Sequence, residues 1–305
     1  MPISQVSFRL NRRQLFKVCA AGAAGPALIR AGLSQKHPVK DGTVRDRLWV
    51  FACPANSDFP IMQRRSVMTP VESAFYFGVP NLIVVQASEG EAKYGRFNPP
   101  FAQYAVAMQP LKRVVWSVVG SGGFHAENET REVLELARRT PNFVGIMLDD
   151  FFTGEKEGKR AQWSVEQLAE VRRRAKQDGK KLDMLVTLYT SQLELPLQDY
   201  LGLLDVYTLW TGSPADLKNL EANLAKAEKL APKLRKMLGC YVVDYGEKKT
   251  MPVELMKHQC ETGMRWLQEG RIEGMIFVAS WITDHDLPAV QWTRKWVQEV
   301  GQTPL

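Results

Sequence analysis

Three features of the 305-residue sequence predict an α/β fold, a single (β/α)8 barrel preceded by a removable N-terminal segment. From Leu48 onward, short continuous apolar runs of the buried-strand kind alternate with segments of helical spacing, giving about eight strand-then-helix units. Each connection is long enough for a right-handed parallel crossover. The competing open doubly wound sheet usually carries a glycine-rich first turn. The chain lacks one and has no second composition zone after its leader, which favours one closed barrel.

A polar stretch through Lys40, Asp41 and Gly42 leads into the first strand, Leu48 to Pro54. The segment from Pro70 to Phe77 reads as a helix, with Thr69 suited to cap its start and Gly78 to end it. Leu82 to Gln86 and Val114 to Val119 are the next strands. Between them, Glu89 to Pro110 reads as a long loop bearing Tyr94, Phe97, Phe101 and Tyr104, and loops of that length commonly serve as lids or binding loops. A helix from Glu129 to Arg139 and a strand from Phe143 to Asp150 follow. Ser164 announces a helix from Val165 to Gln177, and the strand Leu182 to Tyr189 comes next. A short helix near Leu197 to Leu203 precedes the strand Val206 to Trp210. Leu217, Leu220, Leu224 and Ala227 fall at helical spacing within Ala215 to Leu230. Leu238 to Tyr245 reads as the seventh strand, Val253 to Glu269 as a helix, Met275 to Trp281 as the last strand and Ala289 to Val300 as the closing helix.

Hydrophobic content of 45% and charged content of 24% are ordinary for a globular protein. The formal charge of +7 does not mark a nucleic-acid binder. Arg9, Arg12, Arg13, Lys17 and Arg30 all precede Gln35 and no acidic residue does, so removing them leaves 35 basic against 33 acidic residues, about +2. Basic residues followed by an Ala- and Gly-rich apolar stretch from Val18 to Ile29 have the layout of an export signal. Asn11-Arg12-Arg13-Gln14-Leu15-Phe16-Lys17 resembles the bacterial twin-arginine signal. The domain organisation expected is therefore a signal over 1–34, a linker over 35–47 and the barrel over 48–305. The twin-arginine translocase is the partner this implies, and a periplasmic or secreted location the destination. The apolar stretch is too short and too Gly-interrupted for stable membrane insertion. Cys53, Cys240 and Cys260 are too few and too scattered for a disulfide framework or a metal knuckle and read as buried thiols.

In a barrel, the residues at the C-terminal strand ends converge on one mouth. Those ends supply Cys53, Gln86 with Glu89, His125, Asp149 with Asp150, Tyr189, Trp210, Asp244 with Tyr245 and Glu247, and Trp281 with Asp284 and His285. The run Val144-Gly145-Ile146-Met147-Leu148 stops abruptly at Asp149 and Asp150, and a strand buried on both faces has no place for carboxylates except where it emerges. Such a mouth lacks the Lys or Arg clamp that phosphorylated substrates need. No two of the four histidines are close in sequence, so no metal or other cofactor is expected, although Asp149, Asp150, His125 and His285 form a conceivable metal-dependent lyase or isomerase site. Carboxylates flanked by aromatic faces suit a neutral polyhydroxylated ligand.

With Asp149 and Asp150 at strand four, Asp244 or Glu247 at strand seven and Trp281 at strand eight, the layout resembles the TIM-barrel glycoside hydrolase superfamily. The resemblance implies an oligosaccharide substrate and a pair of carboxylates, one protonated and one ionised, about the glycosidic bond. Strand alternation turns Gly145, Met147 and Asp149 inward. It also places Cys240, Val242 and Asp244 on one face, and Phe277, Ala279 and Trp281 on another. Asp149 and Asp244 are thus the expected inward pair, with Asp150 and Glu247 in reserve. Tyr189, Trp210, Tyr245, Trp281, Gln86, His125 and Asp284 are the expected substrate contacts. A catalytically silent glycan-binding barrel is the other reading that this mouth permits.

Overall fold

The computed structural model describes residues 42–57, 62, 65–86, 97–153, 159–177, 179–278 and 280–305. Eight parallel strands close into a barrel: β1 Leu48–Ala52, β2 Asn81–Val84, β3 Arg113–Val119, β4 Phe143–Leu148, β5 Asp183–Tyr189, β6 Val206–Trp210, β7 Arg235–Cys240 and β8 Gly274–Val278. Closure runs through β1 against β8, with Leu48 opposite Met275 and Phe51 opposite Val278. Among the described residues, eight α-helices alternate with the strands: α1 Pro70–Phe77, α2 Ala102–Met108, α3 Glu127–Arg139, α4 Val165–Ala175, α5 Gln198–Leu201, α6 Leu220–Leu230, α7 Val253–Gln268 and α8 Pro288–Val300. The leader, including the Arg12-Arg13 pair, lies outside the described residues, as does Glu89. No helix among the described residues is long and apolar enough to cross a membrane.

Local chemistry sets the helix ends. Thr69 accepts from the Glu72 backbone while the Glu72 carboxylate accepts from the Thr69 N–H, Pro70 occupies the first turn, and Gly78 leaves it in the left-handed region at φ 68°. Ser164 and Gln167 repeat the reciprocal cap on α4. The long loop expected over Glu89 to Pro110 contains a helix, α2. Its signal was present, since Phe101, Ala105 and Met108 stand at i, i+4 and i+7 and all three are buried. Phe101 stacks on Trp116 of β3 at 5.1 Å, and Trp116 in turn lies 6.1 Å from Phe143 of β4, which fixes this segment to the helix side of the sheet.

Two strand expectations are corrected. The seventh strand stops at Cys240 rather than Tyr245. The chain bends at Tyr241 and Val242, and Val243–Asp244 pairs antiparallel with Lys249–Thr250 as a separate hairpin. An unbroken apolar run cannot reveal that bend, because Val242, Val243 and Asp244 beyond it are buried as well. The inward face of β8 is the other one: Phe277 packs outward on Phe77 and Trp296, while Val278 lines the interior cavity. Trp281 still reaches the mouth because the strand has ended at Val278 and the chain has turned. Ala279 lies outside the described residues.

At the N-terminal end of the barrel, polar groups form a floor. The Arg113 guanidinium lies 4.6 Å above the Trp49 ring and donates to the Asn81 side chain, and Arg235 bonds Asp183 at 2.6 Å. The two ends of the described chain meet on this face. Val44 N–H donates to Thr303 O, Arg45 N–H to Gly301 O and Leu305 N–H to Gly42 O. Val44–Arg47 forms a 3-10 turn with Val44 buried, so the end of the stretch read as a linker packs on the barrel.

Candidate active site

At the opposite end, a cavity of about 320 Å³ opens among the C-terminal strand ends. Asp149 and Asp150 form its acidic wall. Asp149 follows β4 directly, is 5% exposed, and accepts from the Thr187 hydroxyl of β5 at 2.8 Å. The β3–β4 register slips between Ser117 and Val119, and the Asp149 N–H then bonds Val119 O. Such irregularities commonly re-aim a side chain beside a site. Burial, and secondarily the charge of Asp150, holds the Asp149 carboxyl well above the usual carboxylate range.

Asp150 adopts the left-handed region at φ 45°, which Asp tolerates better than most residues because of its short polar side chain. That conformation swings its carboxylate to accept from the Gly122 N–H at 2.8 Å and from the Tyr189 hydroxyl at 2.5 Å. Gly122 itself sits at φ 68° in the turn after β3. Burial, followed by neighbouring Tyr241 and the two carboxylates, pushes the Tyr189 hydroxyl up and keeps it a donor. Tyr241 is raised in the same way, by burial and then by Asp150 and Asp149.

The facing wall is aromatic. Trp210 meets Phe51 edge-on at 5.6 Å and Tyr241 at 4.8 Å, Tyr241 meets Tyr245 at 4.6 Å, and Phe51 meets Trp281 edge-on at 6.3 Å. The Trp210 indole N–H donates to Thr208 at 2.8 Å, and its ring occupies the space that a side chain at Gly239 would need. Cys53 completes the lining. Its thiol is pushed up by burial and then by Asp149, which disfavours a thiolate nucleophile.

Of the residues expected from sequence, Asp149, Asp150, Tyr189, Trp210, Tyr245 and Trp281 line this one cavity. The others lie elsewhere. Asp244 is buried but outside the lining, and its carboxylate accepts from the Glu247 N–H at 2.9 Å to close the hairpin turn. Glu247 is exposed and paired with Lys249. Gln86 clamps the chain before α2, accepting from Phe97 N–H and donating to Phe97 O and Glu129. His125 lies edge-on to Trp163 at 5.6 Å in a separate cleft between α3 and α4, and Asp284 accepts from the Val67 N–H. Sequence reasoning missed Thr187 and Tyr241 as site residues. Thr187 had a signal, since it shares the inward face of β5 with Tyr189, two positions away. No group of three or more His, Cys, Asp or Glu placed to hold a metal occurs among the described residues.

A closed parallel barrel with an acidic and aromatic mouth at its strand C-termini belongs to the TIM-barrel class. Comparison with solved structures agrees. A structure described as a proposed alpha-L-fucosidase from Bacteroides thetaiotaomicron matches with a TM-score of 0.57 at 13% identity, over 90% of this chain and 100% of that one. A glycoside hydrolase family 5 enzyme from Prevotella bryantii, in complex with a xyloglucan tetradecasaccharide, matches at 0.51 and 10% identity over 85% and 99%. YKL-39, solved in the presence of chitooligosaccharides, matches at 0.51 and 13% over 82% and 98%. Likeness at such identities establishes the shared fold. No family model and no curated protein matches the chain.

Proposed function

We propose that the protein is an exported glycoside hydrolase acting on an oligosaccharide free of anionic groups. The observation that carries this reading is the buried Asp149, its carboxyl held above the usual carboxylate range, beside an oriented Asp150 and set against a wall of aromatic rings. Asp149 is the general acid that protonates the leaving oxygen. Asp150, fixed by Gly122 and Tyr189, is the partner that supports a water or the developing positive charge on the sugar ring. Trp281 and Tyr245 stack on its C–H surfaces. A broad glycan panel is expected to contain a substrate whose turnover disappears in Asp149→Asn. Absence of turnover across that panel, with ligand binding unaffected in the variant, sinks the reading.

Tyr189→Phe removes one donor to Asp150 without emptying the cavity wall. Hydrogen bonds to charged groups contribute about 1.5–3 kcal/mol, so turnover is expected to fall about tenfold or more, with the folded near-UV circular dichroism retained. Steady-state kinetics on the same substrate measures it.

The placement of Asp244 and Glu247 outside the cavity favours a second reading, a catalytically silent glycan-binding barrel, because no strand-seven carboxylate faces Asp149. That reading requires sugar affinity lost in Trp281→Ala and no product from the parent after long incubation.

Export rests on the Arg12-Arg13 pair. A twin-arginine translocase reads two guanidinium groups whose planar donor geometry lysine does not reproduce. The double change Arg12→Lys with Arg13→Lys is therefore expected to leave folded, unprocessed protein in the cytoplasm. Cell fractionation checks this, and undiminished export of the variant removes the periplasmic or secreted assignment.

A further inference from the structure

The cavity joins two properties that a purely hydroxylated ligand does not use together. Asp149 and Asp150 are adjacent in the chain and share one wall, and no Lys, Arg or His is among the described residues lining the cavity. Across from them, Phe51, Trp210, Tyr241, Tyr245 and Trp281 surround the remaining space, four ring pairs lying between 4.6 and 6.3 Å apart. Aromatic faces carry negative quadrupole density and attract cations, more strongly when water is excluded. A hydroxyl placed between these walls leaves the Asp150 carboxylate without a counter-charge. An ammonium supplies one, and an anionic ligand is repelled.

From this charge balance we infer that the cavity selects a sugar ring bearing a free amine, a 2-amino-2-deoxy hexose unit rather than its N-acetyl or 2-hydroxy counterpart. The inference rests on the proposed glycan reading for the ligand class, and on the cavity itself for the charge. The volume suits one such ring. At roughly 30 Å³ per water, 320 Å³ holds about ten waters, which leaves room for one such ring and water beside it. The ammonium sits against Asp150, whose two carboxylate oxygens already accept from Gly122 and Tyr189 and so are held in place before the ligand arrives. The ring carbons face Trp281 and Tyr245.

The test uses calorimetric and tryptophan-fluorescence titration of the full chain at pH 6. The probes are the methyl glycosides of 2-amino-2-deoxyglucose and 2-amino-2-deoxygalactose, with their N-acetyl and 2-hydroxy forms. At least one amine form is expected to bind about tenfold or more tightly than both of its counterparts. Asp150→Asn keeps a residue type that tolerates the left-handed backbone and is expected to reduce the preference to about twofold or less. Glu166→Gln, in the separate cleft that also holds Glu127 and Glu170, is expected to retain the preference in full. Three outcomes overturn the inference in a sample shown to be folded by circular dichroism: binding of the N-acetyl or hydroxyl forms as tightly as the amines, no binding of either amine, or loss of the preference in Glu166→Gln instead of Asp150→Asn. Amine selectivity without turnover of any glycan sustains this inference and removes the hydrolase reading. Turnover of neutral glycans with no amine preference does the reverse.

Discussion

Asp149→Asn is expected to make the protein more stable and catalytically inert at the same time. The Thr187 hydroxyl that donates to Asp149 finds the same acceptor in the Asn side-chain oxygen, so the hydrogen bond survives. What disappears is a proton linkage. In the folded protein Asp149 keeps its proton to a pH well above that at which it ionises in the unfolded chain, because it is buried and stands beside Asp150. As pH rises above about 3.9, the unfolded chain loses this proton first and the folded state becomes relatively less stable. Above the folded value the penalty stays constant, and below the unfolded value it vanishes. The Asn variant carries no such penalty. Its unfolding midpoint is expected to match the parent's near pH 4 and exceed it increasingly toward pH 8, by about 2–4 °C for each kcal/mol in a domain of this size. Turnover of any substrate found is expected to drop about 10²–10⁴-fold, the usual worth of a positioned general acid. Scanning calorimetry across that pH range and steady-state rates measure the two effects. A midpoint that falls at pH 8 contradicts the burial argument, and turnover that persists contradicts the role.

Gly239→Ala is expected to be among the most damaging single-methyl changes in the barrel. A Cβ there meets the Trp210 ring at 2.1–2.4 Å, inside any tolerable contact. Trp210 has little room to retreat, since Phe51 and Tyr241 hold it on other sides and its indole N–H is committed to Thr208. Overpacking of this kind costs about 1–3 kcal/mol. The ring that moves also lines the cavity, so ligand affinity falls along with stability. Urea unfolding should show a lower midpoint with an unchanged slope. Adding Trp210→Phe, which returns volume to the crowded spot, should recover part of the stability and none of the affinity, and a double-mutant cycle quantifies the coupling. Equal stability of parent and Gly239→Ala contradicts the packing described.

The barrel was legible because buried parallel strands are written as apolar runs, and each of the eight carries a largely apolar stretch between Leu48 and Val278. Asp149 and Asp150 were legible for the opposite reason, as charges at the end of such a run. Strand ends were harder. Leu238 to Tyr245 reads as one apolar element, yet the bend at Tyr241 is set by a hairpin whose turn is closed by Asp244. Gly239 faces Trp210, so Tyr241, two positions on, faces the cavity and Cys240 does not: the inward face of this strand is the opposite of the one expected, and the hairpin then takes Asp244 into its turn. The same limit applies to β8, where Phe277 and Trp281 fall four residues apart on one nominal face. The strand stops between them, so they end in different surroundings. Gln86 and His125 stand at the right strand ends, but their partners, Phe97 and Trp163, arrive from distant segments.

The backbone bonds that tie Gly42 to Leu305 and Val44 to Thr303 have a practical corollary for handling the molecule. Both ends of the described chain, Gly42 and Leu305, leave from one spot on the face away from the cavity. The same proximity makes this barrel a candidate for circular permutation. A short glycine-rich bridge spanning those ends would let new termini be opened in a surface connection such as that between α3 and β4, with every strand keeping its neighbours.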